Sequence, residues 1–141
     1  MRFVLDASVG LKTLLPEQDS DKALKLRDEY SQGLHELLAP DVFAVEVSHA
    51  LTRAERARVI QVGDSIGLYG QLLATMPDLH ESFPLMPRAI ELSSKLRASV
   101  YDCLYVSLAE RESCQLVTSD KRLINVFQKD FPNIVDLVDL P

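Results

Sequence analysis

The residues of this chain that could do chemistry are acidic. Four of them stand where a strand has just ended or a helix is beginning: Asp6, Glu46, Asp102 and Asp120. Asp6 closes the apolar run Phe3-Val4-Leu5. An acid set directly behind a buried strand is itself partly buried, and costly unless something compensates it. Asp120 follows a second such run, Gln115-Leu116-Val117-Thr118. Taken singly, Asp102 and Asp120 read as helix caps and Glu46 as a solvated helix residue. Taken together, four carboxylates on one rim repel one another and hold protons unless a cation neutralises them. A donor set of oxygens alone selects a hard cation, magnesium or manganese, whereas zinc prefers His or Cys. Such an ion lowers the pKa of a bound water and neutralises charge on a phosphate. The chemistry is phosphodiester hydrolysis, with no Ser, Cys or Lys nucleophile required.

Something must bring positions 6, 46, 102 and 120 to one place. The apolar run Arg2–Leu5 lacks polar alternation, as a strand buried on both faces does. Helices are expected over Ala7–Leu15, stopped by Pro16, and over Ser20–Ser31, with Ser20 as N-cap. Leu37–Pro40 is a brief apolar stretch before a long helix from Asp41 to about Val59. There Phe43, Val47, Ala50, Leu51 and Ala54 share one face. Further helices are expected from Gly63-Asp64 to Met76-Pro77, over Pro87–Arg97, from Asp102 with Leu104, Tyr105, Leu108 and Ala109 on its apolar side, and over Asp120–Lys129. Strands are expected at Leu79–Phe83, Gln115–Thr118 and Ile134–Val138. Short apolar strands alternating with helices predict a parallel α/β sheet covered by helices on both faces. In such a sheet ligands sit at the carboxyl ends of the strands, where the following helices also start. That is how the four acids converge.

The rest of the composition bounds the function. The 141 residues are 47% hydrophobic and 26% charged, enough for one domain with its own core over residues 1–141. No apolar run reaches the ~20 residues that cross a bilayer. The start Met1-Arg2-Phe3-Val4-Leu5-Asp6 reads as a strand rather than a signal peptide, so a cytoplasmic location is expected. Cys103 and Cys114 have no paired spacing and read as reduced buried thiols. The net charge of −6 argues weakly against a nucleic-acid binder. Bound divalent cations would remove much of that charge, so its placement says more than its sum.

Four segments then resemble a known family. Val4-Leu5-Asp6-Ala7-Ser8-Val9 with Leu14-Leu15-Pro16-Glu17 resembles the opening of VapC-like toxins of the PIN-domain family. Ala39-Pro40-Asp41 with Glu46-Val47 and Ala50-Leu51 resembles their second acidic motif. Val100-Tyr101-Asp102-Cys103-Leu104-Tyr105 is similar to the third, and Leu116-Val117-Thr118-Ser119-Asp120-Lys121-Arg122 to the fourth. The matches come in family order and span nearly the whole chain. The resemblance implies a three-layer α/β/α fold and a magnesium- or manganese-dependent endoribonuclease with Asp6, Glu46, Asp102 and Asp120 as its acidic site. It also implies a homodimer paired with a VapB-like antitoxin as the toxin of a type II pair. Ser8 and Thr118 carry over as polar neighbours. Ser8 suits a metal-bound water or a helix cap, and Thr118 would orient Asp120. His49 departs from the family, which often has Asn there; one turn from Glu46, it could support that acid or stand near the phosphate.

Two rivals fit less well. Haloacid-dehalogenase-like enzymes use the first Asp as nucleophile and need a second acid or Thr at fixed spacing, and Asp6-Ala7-Ser8 has no acid two residues on. Receiver domains need a late Lys at a strand end, which Ile134–Val138 lacks. A PIN-like module that binds RNA or a partner without cutting is the alternative function, but it would have no use for four repelling acids. For RNA, helical spacing places Arg53 and Arg56 on a polar stripe with Glu46 and His49. Lys121 and Arg122 follow Asp120 directly, and all four basic residues are candidates for phosphate contacts. The apolar residues of segments 20–31 and 42–59 are candidates for the wall of an antitoxin groove.

Overall fold

The computed structural model describes all of residues 1–141. It builds a five-stranded parallel sheet from β1 (Arg2–Leu5), β2 (Glu36–Pro40), β3 (Asp78–His80), β4 (Gln115–Thr118) and β5 (Ile134–Asp136). The helices are α1 (Ala7–Lys12), α2 (Ser20–Ser31), α3 (Val42–Arg56), α4 (Asp64–Ala74), α5 (Met86–Leu96), α6 (Val100–Glu112) and α7 (Lys121–Phe127). The strand order is β3-β2-β1-β4-β5. β1 pairs with β2 through Val4 and Leu38 and with β4 through Leu5 and Val117. The expected α/β/α architecture with a parallel sheet is therefore what the chain adopts.

One apolar core holds it together. Val4, Leu38, Ala39, Leu116 and Val117 line the sheet; Phe43, Val47 and Leu51 come from α3, and Leu104, Tyr105 and Leu108 from α6. β1, β2 and β4 carry no outward polar residue after their first positions because both faces are covered. α2 packs on α1, α1 on α3 and α3 on α4, while α5 lies on α6, which crosses β1, β2 and β4. The α1–α3 contact is close enough to need a glycine. A Cβ on Gly10 would stand 2.6 Å from Cζ of Phe43.

Several element ends differ from the expectation, each for a local reason. α1 stops at Lys12, where the Thr13 hydroxyl donates to Gly10 O at 2.7 Å. The α2 N-cap is Asp19, at φ 65°, rather than Ser20, whose hydroxyl instead donates to Leu15 O and accepts from Glu17 N. α3 ends at Arg56, since Arg58 turns left-handed at φ 62° and Val59 N–H returns to Ala54 O. The strand expected at 79–83 lies at Asp78–His80. Phe83–Leu85 is a 3-10 turn that places Pro84 where its missing N–H costs nothing. α6 begins at Val100 under an N-cap from Ser99, two residues ahead of Asp102. α7 ends at Phe127 rather than Lys129. β5 ends at Asp136, whose carboxylate accepts from Val138 N–H and starts a 3-10 turn.

Candidate active site

The chain leaves β1 toward β2 and β3 on one side of the sheet and places β4 and β5 on the other. The carboxyl ends of β1 and β4 therefore flank the point where the strand order reverses, the crevice where open parallel sheets bind ligands. Asp6 sits there. Its N–H extends the ladder to Val117 O at 3.0 Å, and its side chain is only 6% exposed.

Three donors converge on one oxygen of Asp6. Its Oδ2 accepts from Ser8 N at 3.3 Å, Ser8 Oγ at 2.5 Å and Thr118 Oγ1 at 3.0 Å. Thr118 Oγ1 in turn accepts from Asp120 N at 3.0 Å, and Ser8 Oγ from Ser119 N at 3.1 Å. Ser8 and Thr118 thus lace the end of β1 to the loop after β4. The cap of α1 is Asp6, not Ser8. Thr118 grips Asp6 with its proton and Asp120 only through the backbone.

The other acids come from the helix starts. Asp102 lies in the first turn of α6, its N–H bonded to Ser99 Oγ at 3.1 Å. Asp120 is the N-cap of α7, its Oδ1 accepting from Arg122 N at 3.0 Å and Leu123 N at 3.4 Å. The Arg122 guanidinium bridges the two, 3.5 Å from Asp102 Oδ2 and 3.8 Å from Asp120 Oδ2. Glu46 reaches in from the second turn of α3, half-buried beside Tyr105.

Electrostatics record this proximity. Burial pushes the Asp6 carboxyl above its ordinary range, its hydrogen bonds oppose the shift, and the charge of Asp102 adds to it. Burial also pushes Glu46 up to about 7; the Tyr105 hydroxyl opposes this, and Asp6 and Asp102 reinforce it. Asp102 is raised by burial first, against the pull of Arg122. All three shifts run the same way, toward holding protons. In metal-free protein the native state then binds protons that the unfolded chain has released. Stability should fall as pH rises from about 4.5, where Glu46 titrates in the unfolded chain, to about 7, and stay low above it. The Glu46 shift alone corresponds to at most roughly 3 kcal/mol, and solvent at the rim reduces this to about 1–2 kcal/mol. Urea melts in chelator across pH 5 to 8 check it, and stability that rises through this window would contradict the burial of these acids.

The donor set fits a hard cation. It consists of carboxylate and hydroxyl oxygens, and Glu46 Oε1 is buried without a partner. No three of the acids converge closely enough to chelate one ion as their side chains lie. The fit is therefore to magnesium's usual mode, one or two direct carboxylates with water completing the shell.

The remaining candidates spread out. His49 is exposed and lines a groove of about 660 Å³ between α3 and α4, with Val45, Ile66 and Tyr69. It makes no hydrogen bond to Glu46, because Glu46 turns toward α6 and His49, 60° further round α3, toward α4. Arg53 and Arg56 are exposed on the last turns of α3 and form no ion pair with the acids. Lys121 pairs with Asp136 at the end of β5, away from the acids. Of the two segments expected to wall a groove, α3 lines the one beside His49, while α2 keeps Ala23 in the core and lines a separate groove beside Leu140 and Pro141 with Lys22, Lys25 and Glu29.

One residue of the site was absent from the sequence reading. Tyr105 was counted among the apolar residues of α6, yet its hydroxyl is buried among Glu46, Asp6 and Asp102, which together with burial hold the phenol firmly protonated. The available signal was spacing. Tyr105 stands three residues after Asp102, on the same side of the helix, and a buried tyrosine hydroxyl needs a partner.

Comparison with known proteins agrees with this fold. The family model described as PIN domain matches residues 3–128. Ribonuclease VapC3 of Pyrobaculum aerophilum is 30% identical over 129 residues, covering 90% of this chain and 95% of that protein. A crystal structure of a Pyrobaculum aerophilum protein superposes with a TM-score of 0.69 at 20% identity, over 98% of this chain and 93% of that one. VapBC2 from Rickettsia felis, bound to a DNA fragment from its promoter, superposes with a TM-score of 0.67 at 15% identity, over 96% of this chain and 97% of that one. With the family model covering most of its length and the acidic crevice in place, the chain belongs to the PIN domain family.

Proposed function

We propose that this protein is an endoribonuclease that uses magnesium or manganese and serves as the toxin of a type II toxin–antitoxin pair. The observation that carries the reading is the gathering of Asp6, Glu46 and Asp102 at the reversal point of the sheet, each raised by burial and each also by a neighbouring acid's charge. Its kinship with a relative named as a VapC ribonuclease supplies the substrate class and the toxin setting.

Asp6 and Asp102 would hold the cation, with Glu46 and Asp120 holding its waters. When bound, the ion would lower the pKa of an attached water and neutralise charge on the scissile phosphate. The protein's own part is positioning. Ser8 and Thr118 fix Asp6 by occupying its Oδ2, which leaves Oδ1 free of hydrogen bonds and available to a cation. Arg122 balances Asp102 and Asp120 and is free to turn to a phosphate once a cation takes over that role. Arg53 and Arg56 extend a basic track along α3, and Lys121 stands beside Arg122 at the start of α7. A VapB-like antitoxin and a second copy of the chain are the expected protein partners, in the cytoplasm.

The test is incubation of the purified protein with structured RNAs in magnesium, manganese or chelator. Discrete cleavage products in either metal and none in chelator are expected, while RNA left intact in both metals would sink the proposal. The basic track has its own measurement. An Arg53→Ala, Arg122→Ala variant should bind RNA more weakly, with a salt slope shallower by roughly one unit per lost phosphate contact. An unchanged slope would remove both residues from the RNA path.

A further inference from the structure

Among the buried polar atoms of this molecule that lack a partner are Glu46 Oε1 on α3 and the Tyr105 hydroxyl on α6, and these two groups lie close enough to act on each other's ionisation. Tyr105 is fully enclosed, 0% exposed, in a buried stretch of α6 that also holds Cys103, Leu104, Val106, Ser107 and Leu108. A phenylalanine would fill the same space without burying a hydroxyl, and native proteins rarely leave a buried hydroxyl unpaired. The hydroxyl lies near enough to Glu46 to hold its carboxylate, yet no bond of normal geometry closes between them in this structure. Small rotations of either side chain would close it. No other side chain or backbone group hydrogen-bonds to the Glu46 carboxylate, so nothing else anchors it.

We propose that the Tyr105 hydroxyl is a positioning residue: it donates to Glu46 and aims that carboxylate at the crevice occupied by Asp6 and Asp102. The inference deepens the function proposed above and rests on it for what the aimed carboxylate does. Glu46 leaves α3 pointing across to α6. A glutamate has three rotatable bonds, and one donor fixes which oxygen faces inward and which faces the wall. The phenol suits this task because it stays protonated throughout the working pH range and so is always a donor here.

A double-mutant cycle with Tyr105→Phe and Glu46→Ala tests the pairing, read in two ways. In chelator, thermal unfolding should show coupling. The double variant should melt about 3 °C higher than the sum of the single shifts predicts, the size of one hydrogen bond in a protein of this length. With manganese alone as probe, followed through the electron paramagnetic resonance signal of the free ion, Tyr105→Phe should weaken binding about 3- to 10-fold. In the Glu46→Ala background the same substitution should change manganese affinity by less than 2-fold, which a merely structural tyrosine would not produce. Additive melting shifts together with the same affinity loss in both backgrounds would overturn the proposal. Coupling in chelator with no manganese binding by the wild-type protein would instead support the pairing and overturn the metal-dependent function. Circular dichroism of Tyr105→Phe, which keeps the ring and its packing, verifies that each comparison is made between folded proteins.

Discussion

Asp6→Asn should abolish RNA cleavage, by at least about 10²- to 10³-fold, in a protein that folds as well as the wild type. The asparagine carbonyl oxygen can take the place of Oδ2 and accept from Ser8 N, Ser8 Oγ and Thr118 Oγ1. The lacing between β1 and the loop after β4 is then preserved. What is lost is the negative charge of the carboxylate, whose Oδ1 takes no hydrogen bond from the protein. The same substitution removes a buried charge that burial and Asp102 both disfavour, so the metal-free variant should melt at or above the wild-type temperature. Cleavage rate and melting in chelator, measured on one preparation, separate the two effects. A variant that cuts RNA at the wild-type rate would take Asp6 out of the chemistry. One that melts well below wild type would show that the carboxylate is needed for the fold.

Gly10→Ala should destabilise the protein by about 1–3 kcal/mol although alanine is the better helix former. Gly10 lies inside α1 with an ordinary helical backbone, and its need is for space. The added Cβ would meet the Phe43 ring at 2.6 Å and 3.0 Å and stand 3.4 Å from Cγ2 of Val47. Phe43 is fully buried and cannot swing away, so α1 and α3 must separate. Phe43 and Glu46 share the first turns of α3, so the displacement also moves Glu46 relative to Asp6, which precedes α1. Metal affinity should fall along with stability. Trimming the ring by Phe43→Leu in the Gly10→Ala background should return part of the lost stability, even though that substitution alone costs some. Chemical denaturation of the four proteins measures this. Equal stability of Gly10→Ala and wild type would mean that the helix contact yields more easily than a closely packed core should.

The sequence by itself determined the sheet, the helices on both sides of it and the four acids. β1, β2 and β4 are continuous apolar runs because both their faces are covered, and a residue following such a run lies at the strand's carboxyl end wherever the strand sits in the sheet. Asp6 and Asp120 could therefore be placed on one rim from spacing alone. α3 was legible because Phe43, Val47, Leu51 and Ala54 repeat at helical period, and all four are buried. Element ends were less legible, since they depend on which hydroxyl or carboxylate captures a free N–H. Ser99 caps α6 ahead of Asp102, and Asp19 rather than Ser20 heads α2.

Only the tertiary structure decided what each polar side chain touches. His49 and Glu46 sit one turn apart, yet α4 packs beside one and α6 beside the other, so they serve different surfaces. Lys121 and Arg122 are neighbours in the chain, but Lys121 goes to Asp136 and Arg122 to Asp102 and Asp120. Tyr105 read as core because helical period reports only which side of a helix is buried. Whether a buried position faces an aliphatic wall or a ring of carboxylates depends on the helix packed against it. Glu46, on α3, lies 59 positions earlier in the chain, and side-chain proximity at such separation is set by how the layers stack. No local pattern encodes it.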